Sequence, residues 1–132
     1  PLRVFLMSFG YRYGVPRDAD LVFDVRFLKN PHYVAELKIQ SGMDADVAAF
    51  IAGDPTLAPF LERLTQFLEP LLPLYEAEGK SYLTIAVGCT GGQHRSVYVV
   101  ERLKIWLSNK TASYSLRHRD IAAIGNSLES RR

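Results

Sequence analysis

The segment that most constrains this chain lies at residues 82–108, where an apolar run leads through a glycine-rich loop into a helical pattern. Residues 82–88, Tyr-Leu-Thr-Ile-Ala-Val-Gly, predict a buried strand. The loop Cys-Thr-Gly-Gly-Gln-His-Arg-Ser follows at 89–96 and enters a helix predicted over 95–108. A strand that feeds a glycine-rich turn into a helix is typical of α/β domains that bind anions at the helix N-terminus.

Further apolar segments predict the rest of the sheet, with strands at 2–7, 21–26 and 112–116. Residues 8–20 read as a long loop. Helices are predicted at 44–52 and from Asp54 onward; Pro70 and Pro73 are expected to kink or break the second helix near its end, and Gly79 to cap it. This order of elements predicts an α/β fold, a mostly parallel central sheet flanked by helices, with ligands bound beyond the carboxyl ends of the strands.

Length and composition set the class of protein. The 132 residues, 48% of them hydrophobic, fit a single domain with a real core. No apolar run is long enough to cross a membrane, and one cysteine cannot form an internal disulfide, so a cytoplasmic protein is expected. The net charge of +2 is too mild for a dedicated nucleic-acid binder. The chain starts without Met and enters a strand at once, which suggests a fragment of a larger protein.

The loop offers several groups that bind phosphate. Gly91 and Gly92 let an anion approach the backbone, and Thr90 adds a hydroxyl donor. Arg95 can hold a phosphate through paired hydrogen bonds, and His94 can donate to it or become protonated near neutral pH. The alternative is an ordinary tight turn in which the glycines only permit helix packing.

Cys89 and Arg95 also have the Cys-x5-Arg spacing of cysteine-dependent phosphatases. In that chemistry a thiolate attacks phosphorus while the arginine holds the oxygens. The two glycines and the histidine within the loop are unusual for such enzymes. A buried or ligand-lining thiol is the alternative interpretation.

Other candidate residues lie outside the loop. Asp24 and Arg26 alternate along a predicted strand and could reach the same crevice, or form an internal ion pair. His32 is either a ligand contact or a turn-stabilising residue. A basic cluster, which either contacts nucleic-acid phosphates or is simply solvated, consists of Arg117, Arg119, Arg131 and Arg132. The sequence has no Walker nucleotide loop and no metal-ligand spacing.

Several segments together closely resemble the C-terminal domain of the RapZ family of RNase adaptor proteins. They are Phe-Asp-Val-Arg-Phe-Leu-Lys-Asn-Pro-His-Tyr at 23–33, Gly-Lys-Ser-Tyr-Leu-Thr-Ile-Ala at 79–86, Gly-Cys-Thr-Gly-Gly-Gln-His-Arg-Ser at 88–96 and Arg-His-Arg-Asp at 117–120. The resemblance spans residues 8–120.

The resemblance implies a non-catalytic adaptor domain with a fold like a sugar-phosphate-binding domain of phosphofructokinase. It implies binding of glucosamine-6-phosphate and small RNA, presentation of that RNA to an endoribonuclease, and homo-oligomerisation. ATP or GTP would bind to an N-terminal P-loop domain absent here, and no cofactor is expected in this domain. The implied ligand residues are Asp24, Arg26, His32, Cys89, Thr90, Gly91, Gly92, His94 and Arg95.

Overall fold

Four strands form one sheet in which neighbouring strands run parallel. The computed structural model describes residues 1–110 and 113–121. The strands are β1 (Arg3–Gly10), β2 (Leu21–Asp24), β3 (Tyr82–Cys89) and β4 (Ser113–His118), and their order across the sheet is β2-β3-β1-β4. The predicted α/β architecture with a parallel sheet is therefore confirmed.

The strand ends differ from those predicted. β1 continues to Gly10, so residues 8–10 are a buried part of the sheet and not a loop. The extension is explained by its neighbours, because Gly10 pairs with Cys89 and Ser8 pairs with His118. β2 ends at Asp24, and β4 continues to His118, while residue 112 lies outside the described part of the chain. Pairing with adjacent strands, which local sequence does not reveal, fixed these limits.

The helices are α1 (Ala35–Lys38), α2 (Ala45–Ala52), α3 (Leu57–Ala77) and α4 (Arg95–Ser108), with short 3-10 helices at Tyr11–Tyr13 and Pro31–Tyr33. The predicted break in α3 is wrong, since the helix continues through Pro70 and Pro73. Both prolines are exposed, so the carbonyls that lose a partner can bond to water.

The end of α3 is as predicted. Gly79 has a φ of +101°, and the amides of Gly79 and Lys80 donate to the carbonyls of Glu76 and Tyr75, both at 3.1 Å. These two bonds form a Schellman motif, in which glycine takes the left-handed position past the helix.

The core lies between one face of the sheet and the helices. α4 packs against β1 and β3, and both α2 and α3 contact α4. Leu64 and Leu68 of α3 belong to this same core, so the apolar face of α3 is used within the chain. Complete burial of a side chain such as Leu68 contributes about 1.5–3 kcal/mol. Across the described ranges, no helix has both the length and the apolar character needed to cross a membrane.

The connections create a crevice at the carboxyl edge of the sheet. From β1 the chain passes beyond β3 to reach β2, whereas from β3 it passes beyond β1 to reach β4. The connections that leave these two adjacent strands therefore run in opposite directions. Parallel sheets bind ligands at such a switch point, which here lies at the loop after Cys89.

Candidate functional site

The loop at residues 90–94 carries open backbone donors. It links β3 to α4, and His94 occupies the N-cap of α4 without a side-chain capping bond. No described residue accepts a hydrogen bond from the backbone amide of Gly91 or of His94. Open amides and the positive end of the helix dipole make this loop suited to an anion.

The loop packs directly on the end of β1. Gly92 has a φ of +75°, and a Cβ placed there would lie 2.6 Å from the Gly10 amide nitrogen. The Arg12 amide donates to the Thr90 carbonyl at 3.1 Å. Gly92 therefore lets the loop pack on the backbone of β1, and it does not line the cleft described below. Gly91 has open space where its Cβ would be and lines the cleft described below.

Arg95 is a buried cation with no carboxylate partner among the described residues. The residue is only 5% exposed, and its Nη1 donates to the carbonyls of Arg26 at 2.7 Å and Leu28 at 3.1 Å. Its Nε is buried with no acceptor among the described residues, and none of their carboxylates forms an ion pair with it. A buried guanidinium without an anion is costly, so the position favours a negatively charged ligand.

His94 is the second buried polar group beside the loop. It is 6% exposed, and its Nε2 has no partner among the described residues. Burial lowers the pKa of His94, with hydrogen bonds to the backbone of Gln40 and Lys38 acting in the opposite direction and the nearby Arg95 charge lowering it further. The lowered pKa favours a neutral imidazole at pH 7.

Cys89 lies at the end of β3 with its sulfur against the start of α4. The thiol donates to Ser96 Oγ at 3.2 Å, and the Ser96 amide donates to Sγ at 3.4 Å. Cys89 is 2% exposed. These contacts fit a buried thiol that both donates and accepts a hydrogen bond.

These groups meet in a cleft of about 540 Å³. Its lining residues are Arg12, Tyr13, Asn30, His32, Tyr33, Lys38, Ile39, Cys89, Thr90, Gly91, Gln93, His94 and Arg95, none of which is acidic. A groove of about 600 Å³ elsewhere is lined mainly by Phe23, Phe27, Phe60 and Phe67 and offers few polar groups. We place the candidate site in the first cleft because the buried cation and the open amides lie there.

Asp24 and Arg26 are arranged differently from the sequence expectation. β2 ends at Asp24, so the two residues do not share a strand, and neither lines the cleft. Arg26 Nη2 lies 2.6 Å from Asp24 Oδ2, and its guanidinium stacks over the Tyr11 ring at 3.9 Å. Hydrogen bonds from Arg26 lower the pKa of Asp24. The alternative of an internal ion pair describes this geometry, and of the two arginines it is Arg95 that lines the cleft.

The rim of the cleft comes from segments that the sequence only partly indicated. His32 lines the rim, and its amide donates to the Asn30 side chain at 3.0 Å. Lys38 and Gln93 also line the cleft but were not predicted as ligand residues. Gln93 lies within the loop motif and was passed over, whereas Lys38 lies in no recognisable motif. Lys38 reaches the cleft because the folded chain places the end of α1 beside the start of α4.

The arginines of the predicted basic cluster do not share one environment. Arg117 is exposed on β4, whereas Arg119 pairs with Asp120 at 2.7 Å. Arg131 and Arg132 lie outside the described residues. In the described ranges, no group of three His, Cys, Asp or Glu side chains is arranged to hold a metal ion.

Comparison with known proteins shows the family of this chain. Residues 2–122 match the family model of the RapZ C-terminal domain. The chain belongs to this RapZ family. It is 58% identical to a nucleotide-binding protein of Paramagnetospirillum magneticum over 95% of the chain and 41% of that protein. It is also 58% identical to one of Rhodospirillum rubrum, over 91% of the chain and 38% of that protein. This RapZ domain therefore spans about two fifths of the length of these relatives.

Proposed function

We propose that this domain binds the phosphate of a phosphorylated sugar at the loop of residues 89–96. The observation that supports the proposal best is Arg95, a buried guanidinium whose Nε lacks an acceptor among the described residues. A phosphate in the cleft would supply the missing negative charge beside Arg95, and the amides of Gly91 and His94 would donate to its oxygens. Family membership supports the same role.

The ligand we propose is glucosamine-6-phosphate, with Asp24 as the carboxylate that meets its amine. Asp24 pairs in register with Gly88, one residue before the loop begins. The charge of Arg95 is among the causes that lower the pKa of Asp24, after the hydrogen bonds from Arg26. An incoming ammonium would compete with Arg26 for this carboxylate.

The experiment is calorimetric titration with glucosamine-6-phosphate, glucose-6-phosphate and inorganic phosphate. We expect the aminosugar phosphate to bind most tightly, and Asp24→Asn to remove its advantage over glucose-6-phosphate. Arg95→Ala should weaken binding by about 2 kcal/mol, roughly thirtyfold, as for a lost charge-assisted bond. Arg102→Ala, an exposed arginine on the same helix, is the control. Equal, weak binding of all three ligands, or unchanged affinity in Arg95→Ala, would contradict the proposal.

The domain's second proposed role is to bind small RNA and present it to an endoribonuclease, as a homo-oligomer in the cytoplasm. Arg117 is the exposed arginine of the basic cluster, which suits a phosphate contact. The relatives are named nucleotide-binding proteins. Because this chain covers two fifths of their length, we propose that ATP or GTP binds in the remaining part.

A cysteine phosphatase is the rival function. The contact between the Ser96 amide and Cys89 Sγ supports it, since a backbone N–H that donates to sulfur at a helix N-terminus is the contact that a thiolate nucleophile requires. Arg95 would then hold the phosphoryl oxygens during attack.

A further inference from the structure

We propose that Arg119 and Asp120 position the anion-binding loop. Asp120 holds the end of β1 against the loop, and Arg119 neutralises the charge of Asp120. The inference rests on the proposed anion site. It gives Arg119 a role other than the RNA contact expected from the basic cluster.

Asp120 connects to the loop through Gly10. The residue is 6% exposed, and its Oδ2 accepts the Gly10 amide at 2.7 Å. The backbone of Gly10 contacts Gly91 and Gly92 so closely that no side chain fits between them. A Cβ on Gly92 would also lie 2.9 Å from the Cβ of Asp120. Asp120 therefore packs on the end of β1, which in turn packs on the loop. Its carboxylate holds the Gly10 backbone in place against the loop.

A carboxylate directly behind an anion site would repel the ligand. The repulsion between like charges is weakly screened where water is excluded. Asp120 is buried, so its charge needs a partner inside the fold.

Arg119 supplies that partner in a fixed geometry. Its Nε lies 2.9 Å from Asp120 Oδ1 and its Nη2 lies 2.7 Å from Oδ2, which is a bidentate pair. Nη2 also donates to the Gly14 carbonyl at 2.6 Å, and the guanidinium stands 5.7 Å from the Phe9 ring centroid. Held at these points, Arg119 neutralises Asp120 without itself lining the cleft.

The roles of the two charges predict an unusual pattern of variants. Arg119→Met should weaken phosphate binding about tenfold, because the buried carboxylate is left unpaired. Asp120→Asn keeps an oxygen for the Gly10 amide and should stay within about threefold of the parent chain. The double variant should recover the affinity lost in Arg119→Met. If Arg119 contacted the ligand itself, the double variant would stay as weak as Arg119→Met.

The test is titration of the chain and these variants with inorganic phosphate, with Arg102→Met on α4 as the control. Arg119→Lys keeps the charge if Arg119→Met does not fold, and it should bind within about threefold of the parent chain. A Lys variant as weak as the Met variant, or a double variant that fails to recover, would overturn the charge argument.

Amide resonances separate this inference from the proposed function. In the ligand-free chain, Asp120→Ala should shift the Gly10 and Gly92 amide signals strongly, and Arg102→Met should not. Unchanged Gly10 and Gly92 signals would refute the positioning role of Asp120. If these signals shift but the parent chain binds no phosphate, the proposed anion site is wrong and the charge-cancelling role of Arg119 fails with it.

Discussion

Replacing Gly92 with alanine tests whether the loop geometry is required for the fold. Gly92 has a φ of +75°, a conformation that costs an L-residue about 1–2 kcal/mol. The added Cβ would lie 2.6 Å from the Gly10 nitrogen and 2.9 Å from the Phe9 carbonyl carbon, both parts of the rigid end of β1. Relief of that overlap requires backbone movement and adds about 1–2 kcal/mol. The expected total is about 2–4 kcal/mol.

The adjacent glycine provides a matched control. A Cβ on Gly91 would meet no atom of the described residues within 4 Å, and Gly91 is not among the described glycines with positive φ. Gly91→Ala should therefore change stability by less than about 0.5 kcal/mol. Urea unfolding of the three chains measures both values, and the difference between the two variants is the result that matters. Equal stability of Gly92→Ala and Gly91→Ala would refute the packing of the loop on β1.

Three further predictions concern the chemistry of the site. Burial lowers the pKa of His94, so the unfolded chain binds more protons than the folded chain below about pH 6.5. The free energy of unfolding should therefore fall as the pH drops through this range. Thermal unfolding of His94→Gln should depend less on pH than that of the parent chain. Arg117→Ala should weaken RNA binding uniformly across sequences and reduce the salt slope by about one, measured by filter binding at several salt concentrations. An aryl phosphate assay should give no turnover; hydrolysis that disappears in Cys89→Ser would instead support the phosphatase.

Local signals predicted the parts of the fold that depend on neighbours in sequence. The helix at Arg95–Ser108 begins and ends as predicted because its apolar spacing and the glycine loop before it are both local features. The end of α3 was equally readable from Gly79. The limits of β1 were not, because Ser8 and Gly10 belong to the sheet through partners far along the chain.

The candidate site was predictable where one motif contains it. Residues 89–95 line the cleft largely as the loop pattern indicated, with Gly92 behind it. The strand pattern placed Asp24 and Arg26 in the crevice, but β2 ends before Arg26, which turns back onto Asp24. Asp120 carries no sequence signal for its contact with Gly10, since only the fold brings residues 110 positions apart into contact.

Backbone contacts link the loop of the candidate site to the segment that follows the rim of the cleft. The Gly42 amide donates to the Gln93 carbonyl at 2.9 Å. The segment from the rim to α2 is therefore attached to the loop at its backbone. Burial lowers the pKa of His94, and the nearby backbone of Gln40 and Lys38 acts to raise that pKa. An anion bound beside His94 at the proposed site would favour its imidazolium form, so the proposed ligand should act next to this attachment.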